Sequence, residues 1–272
     1  MLLTYGTTYI LFTFLNIFIY YFLSKYEVFN NNNTAILTKK YRVVNITKSF
    51  LLAIASIPGG YIIYSILYLG TIPNEVTNIV AILYCSLDLS AILYNPYNHI
   101  STNIHHIVVQ FLYYYGLYYE WDDNTLCKPI VVYAIFSCFA YSVNGRLAIR
   151  RMRFNKEIYS LITKTSFVIY IICCICNWTI QAKFLLTENY GNQVYIYMFL
   201  LSIIIYDDIF LLKYLYNCVI RREQIITSAS SGSLSKLDSI SPSGSPSSRS
   251  ASPKLVESNE PESLELLHDK SQ

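Results

Sequence analysis

Two neighbouring stretches decide how this chain folds: Val76–Leu93, VTNIVAILYCSLDLSAIL, and Ile100–Tyr119, ISTNIHHIVVQFLYYYGLYY, with Asn95-Pro96-Tyr97-Asn98 in the connection between them. Helices of that length, rising ~1.5 Å per residue, are about long enough to cross the ~30 Å hydrocarbon core of a bilayer. So short a connection leaves only an antiparallel hairpin. Each helix carries an ionisable side chain in apolar surroundings, Asp88 in the first and His105 with His106 in the second. A charge at bilayer depth is costly and marks a functional candidate. Asp88 and His105 lie equally far from the turn, so they sit at one depth and an Asp–His contact is available. Adjacent helical positions point ~100° apart, so one histidine can face a cavity while the other bonds a neighbour such as Asp88. A carboxylate beside an imidazole makes a general base able to deprotonate an amine or hydroxyl. The bland counterpart is a pair of polar groups that only hold helices together.

The rest of the chain reads the same way. Of its 272 residues, 54% are apolar and only 14% charged, against about 25% charged in soluble domains. That deficit excludes an ordinary soluble enzyme, and a net charge of +3 is too weak for a nucleic-acid surface. Five further apolar blocks, Leu3–Leu23, Phe50–Leu69, Ile130–Ala148, Ser166–Leu186 and Val194–Tyr216, complete an all-α polytopic transmembrane helix bundle of about seven spans. Lys25, Lys39, Lys40, Arg42 and Lys48 fall in one loop, Arg150, Arg151, Arg153 and Lys156 in another, and Arg221 and Arg222 follow the last block. The alternate loops carry mainly Glu75, Glu120, Asp122, Asp123 and Glu188. The positive-inside rule then predicts an outside or lumenal N-terminus and a cytosolic tail. Three regions follow: 1–39 as an uncleaved anchor helix with a cytosolic loop, 40–222 as the membrane domain, and 223–272 as a cytosolic tail. The tail holds 16 Ser from Ser228 onward, with Ser-Pro pairs at Ser241, Ser245 and Ser252. Such a composition predicts disorder and invites phosphorylation.

The later spans add Asn144 and Arg146 at the end of the fifth, and Asp207 and Asp208 in the seventh. These are candidate substrate-binding residues, expected to share a cavity with Asp88 and the histidines in the cytosolic half of the bilayer. The Cys173-Cys174-x-Cys176 cluster reads as small packing residues rather than a metal site, and no disulfide framework is visible. Asn32-Asn33-Thr34 and Asn45-Ile46-Thr47 match the glycosylation sequon but are expected on the cytosolic side.

The run Tyr84-Cys85-Ser86-Leu87-Asp88-Leu89, the pair His105-His106-Ile107-Val108 and the closing Asn144-x-Arg146 resemble the centre of the TLC-domain family over roughly residues 40–222. Its members include ceramide synthases and translocon-associated membrane proteins. The resemblance implies a protein of the endoplasmic reticulum or a related endomembrane that works in sphingolipid metabolism. In the ceramide-synthase branch it implies transfer of a fatty acyl group from acyl-CoA to a sphingoid amine. His105 and His106 would be the catalytic pair, Asp88 their partner, and acyl-CoA a co-substrate rather than a bound cofactor. Membrane lipids are the implied partners, and a homo-oligomer stays open. Cys138 stands where many members carry an acid, and the residues before the histidine pair are uncharged, which keeps a noncatalytic lipid-binding or lipid-homeostasis role open as the alternative. No metal is expected. A di-iron desaturase needs more histidines than the four present, and a zinc site from His99, His105, His106 and Asp88 is the remaining metal alternative. A retinal protein would want a lysine one turn after its seventh-span acid, where Leu211 stands instead.

Overall fold

The computed structural model describes residues 2–26, 36–95, 100–149 and 156–237. Among them are eight α-helices and no strand: α1 (Leu2–Leu23), α2 (Ile36–Tyr64), α3 (Asn74–Tyr94), α4 (Ile100–Tyr118), α5 (Cys127–Phe139), α6 (Tyr141–Ile149), α7 (Lys156–Thr187) and α8 (Gln193–Leu237). The chain forms two compact units, residues 1–227 and 228–272, and the helical bundle is the first. The all-α bundle is therefore as the sequence predicts. The first helix, expected as an anchor, packs against α3 within the bundle.

Six segments are long and apolar enough to cross a membrane: Thr4–Leu23, Thr38–Leu69, Asn74–Tyr94, Cys127–Ile149, Glu157–Thr187 and Gln193–Ile220. The expected fourth span, α4, has the length at 19 residues but not the apolarity, because Ser101, Thr102, Asn103, His105, His106 and Gln110 all lie on it. Its polar residues nevertheless face the protein. Ile104, Ile107, Phe111, Tyr114 and Tyr118 form the exposed stripe, while His106, Val109, Tyr113 and Leu117 are buried. That spacing is one helical face turned outward and the opposite face turned in. Contacts with α3 step back along the hairpin in register: His106 with Asp88, Gln110 Nε2 donating to the Cys85 carbonyl, and Trp121 Nε1 donating to Asn78 Oδ1. The antiparallel hairpin is thus present, although residues 96–99 of its turn lie outside the described residues.

Polar rungs also join α1 to α3. Asn16 Nδ2 donates to Ser86 Oγ at 3.2 Å, and the Ser90 hydroxyl donates to Tyr20 OH. In an apolar medium a polar side chain is held where it finds a partner, so these rungs fix the rotation of α1 about its axis. α2 starts well before the apolar block at Phe50, carries Pro58, and ends in a π-helical turn, Ser65–Leu69. Gly70 closes that turn with φ +75°, a left-handed conformation that suits glycine. The fifth expected span is broken at Ala140 into α5 and α6. The helix α8 continues through 223–237, into the expected tail. The Ser-Pro pairs lie outside the described residues. Asn45 of the second sequon is buried inside α2, its amide donating to the Tyr41 carbonyl. Asn32 lies outside the described residues.

At the far end of the hairpin, Glu120 and Trp121 both take positive φ, which turns the Trp121 indole back onto α4. A Cβ on Gly116 would stand 2.2 Å from that ring, whereas one on Gly60 would meet nothing within 4 Å. Gly116→Ala is therefore expected to cost about 1–3 kcal/mol by overpacking, and Gly60→Ala to be neutral or to gain up to ~1 kcal/mol of helix propensity. Thermal unfolding of the detergent-purified protein checks this: equal melting temperatures for the two variants would contradict the close approach.

Candidate functional site: a buried cluster of acids, histidines and a lysine

The buried charges gather around Asp88, which is 1% exposed on α3. Its Oδ1 accepts from Lys48 Nζ of α2 at 2.6 Å, and its Oδ2 lies 3.0 Å from His106 Nδ1 of α4. The Lys48 contact is a charge-assisted hydrogen bond. The histidine contact is close but poorly aligned for one, so Oδ2 and Nδ1 both lack a hydrogen-bond partner. His105 turns to α8 instead, with Nδ1 3.4 Å from Asp207 Oδ2. The two imidazole centroids are 5.5 Å apart with planes at 83°, as neighbouring positions on a helix require. The next residue of α8, Asp208, is buried and accepts from Tyr170 OH at 2.8 Å and from Tyr133 OH at 3.1 Å. Lys48, Asp88, His106, His105, Asp207, Asp208, Tyr133 and Tyr170 thus bring α2, α3, α4, α5, α7 and α8 to one cluster.

Of the residues singled out in the sequence, Asp88, His105, His106, Asp207 and Asp208 come together here. Of the two histidines, His106 is the one that faces Asp88, while His105 faces Asp207 of α8. Arg146 stands apart. It is 2% exposed on α6, donates from Nη1 to Tyr214 OH at 3.2 Å, and lies over the rings of Tyr159 and Tyr214, 5.1 Å and 5.5 Å from their centroids. The rings of α7 and α8 capture it before it reaches the acids, a cation–π arrangement strengthened by burial. Asn144, half-buried on α6, is likewise outside the cluster.

The expected cavity lies on the other side of the cluster. Between α3, α4 and α5 is a small apolar void of ≈30 Å³, lined from Thr77 to Cys85 on α3 and from Val109 to Tyr113 on α4. It faces the half of the hairpin away from the turn, not the half the polar residues predicted. Ion pairs draw the helices together around Asp88, whereas small side chains at Ala81 and Ala134 leave room beyond it. Tyr84, Cys85 and Tyr133 line its end, and Tyr133 is also a ligand of Asp208. The apolar void and the charged cluster therefore adjoin.

Sequence reasoning missed Lys48, Tyr133 and Tyr170. Lys48 reads as a loop cation when the span is started at Phe50. Its burial together with Val44, Leu52 and Ala55 shows the helical spacing that places it on the inner face. The two tyrosines are hidden among 27. Among the described residues no group of three His, Cys, Asp or Glu side chains could hold a metal ion. His99 lies outside them.

Each histidine turns Nδ1 toward a carboxylate without an aligned hydrogen bond to it, which leaves Nε2 as the atom that can address a substrate. Lys48 offsets the charge of Asp88 and limits the cost of burying it. Comparison with protein-family models, curated proteins and solved structures finds no match.

Removing either partner of the Lys48–Asp88 pair strands a buried charge. Lys48→Met and Asp88→Leu are each expected to cost ~3–5 kcal/mol, and the double variant less than the sum of the two. Losses that add in thermal or denaturant unfolding would show that the pair is not coupled.

Proposed function

We propose that this chain is a multi-pass membrane enzyme of lipid metabolism, similar in plan to the TLC-domain family, that transfers an acyl group from acyl-CoA to the amine of a sphingoid base. The observation that carries the reading is the pair of buried histidines that each face a carboxylate, His106 with Asp88 and His105 with Asp207, beside a small apolar void. In this reading one Nε2 removes a proton from the attacking amine as its nitrogen bonds the thioester carbonyl carbon. The carbon–sulfur bond then breaks and the coenzyme thiolate leaves with a proton. The other imidazole, at 5.5 Å between centroids, is placed to supply that proton. General acid–base catalysis of this kind contributes ~10²–10⁴-fold. A bilayer-depth site suits substrates that are themselves lipids, and the endoplasmic reticulum or a related endomembrane is the proposed location.

A second reading, lipid binding or lipid homeostasis without catalysis, is favoured by Cys138, which is fully buried and uncharged where the resembling family often has an acid. Lipid mass spectrometry of cells expressing the wild type, His105→Ala and His106→Ala separates the two. The enzyme reading expects a new N-acyl sphingoid product that falls about 100-fold or more in either variant. An unchanged lipid profile with all three proteins would sink the enzyme and leave the binding role.

A further inference from the structure

The three carboxylates of the cluster are not served alike. Asp88 accepts from Lys48 Nζ, and Asp208 accepts from Tyr133 and Tyr170. Among the described residues no N–H or O–H donates to Asp207. Its nearest ionisable partner is His105, whose Nδ1 lies 3.4 Å from Oδ2 and makes no aligned hydrogen bond. Asp207 is also the most exposed of the three, with 15% of its side chain open against 2% for Asp88. The opening lies at the seam of α4 and α8, the two helices that His105 and Asp207 join. Exposed hydrocarbon side chains flank it, Ile104 and Ile107 on α4 and Phe210 one turn along α8. Within the cluster Lys48 is the fixed cation set against three carboxylates, so with neutral histidines negative charge remains unmet. A carboxylate that reaches the outer face of a span without a donor is costly, and calls for a cation brought to it.

We propose that the α4–α8 seam binds the ammonium head of a single-chain membrane amine, with Asp207 as its anchor and the hydrocarbon chain lying in the bilayer along Ile104, Ile107 and Phe210. Charge and route together select this occupant. An ammonium group supplies the N–H donors that Asp207 lacks. An amphiphile carries that group to the seam through the bilayer, whereas an inorganic cation would first have to shed its water. A phosphate or carboxylate head would meet like charge. Because the Asp207 carboxylate is reached from the outer face, the site needs no internal cavity. Such an amine lies beside His105. As a site for the acyl acceptor the seam therefore rests on the reaction proposed above, while amine binding itself requires no turnover.

The test uses the full chain purified in nonionic detergent at neutral pH, with dodecylamine and dodecanol as matched probes, read by native mass spectrometry. The wild type is expected to bind the amine about tenfold or more tightly than the alcohol, the worth of one charge-assisted hydrogen bond. Asp207→Asn should bring the two probes to parity while keeping the binding of the alcohol. Asp208→Asn, whose carboxylate is already taken by two tyrosines, should keep most of the preference, with circular dichroism showing that both variants are folded. Parity of the probes in the wild type overturns the proposal, and an Asp207 that serves only as the partner of His105 gives that result. An undiminished preference in folded Asp207→Asn, or an equal loss in folded Asp208→Asn, overturns it too. N-acyl product is scored separately. Amine preference without product leaves the site standing and refutes the reaction, whereas product with parity of the probes refutes the site alone.

Discussion

A carboxylate placed where water cannot follow must be met by cations from the protein, and Asp88 imposes that demand on this bundle. Its two oxygens face Lys48 from one neighbouring helix and His106 from another. The position of α2 and α4 around α3 is therefore constrained by charge as well as by shape. In lipid, where apolar side chains gain little by leaving the solvent for each other, such polar contacts and close packing carry much of the association. The same logic repeats in weaker form along α1, whose Asn16 and Tyr20 meet Ser86 and Ser90, and at Gln181, which binds the Pro129 carbonyl of α5 and accepts from Tyr197 of α8.

The charged cluster and the void beside it are two results of one packing problem. Helices pulled together by ion pairs at one depth diverge at another unless large side chains fill the gap. Here the gap falls against Ala81 and Ala134 and ends at Tyr133, whose hydroxyl reaches back to Asp208.

Much of this was legible in the residues. Apolar block lengths placed the bundle, and the distance of Asp88 from the turn put the histidines at its depth. Which histidine meets Asp88 was left open, because equal spacing fixes height along a helix but not rotation about it. Rotation is set by everything the helix touches, including Asp207 of α8, which no local pattern reveals. Lys48 escaped because a hydropathy window averages a single inward cation with outward neighbours. The separation of Arg146 from the acids was equally invisible, since it depends on Tyr159 and Tyr214 arriving from two other helices. The polar inner face of α4 cost that helix its apolar score, although its outer stripe of Ile104, Ile107, Phe111, Tyr114 and Tyr118 is fully lipid-compatible.

That inverted helix bears on how the protein is made. A ribosome delivers α2 and α3 before α4, so Lys48 and Asp88 can neutralise each other as soon as the first hairpin partners meet. The histidines then enter on α4 as groups that can shed their charge, which a lysine or an aspartate does far less readily near neutral pH. Asp207 and Asp208 come last, on α8, when His105, Tyr133 and Tyr170 are already in the membrane to receive them. Within this cluster the order of residues along the chain thus brings most charges in after a partner, and the final helix completes the site it closes.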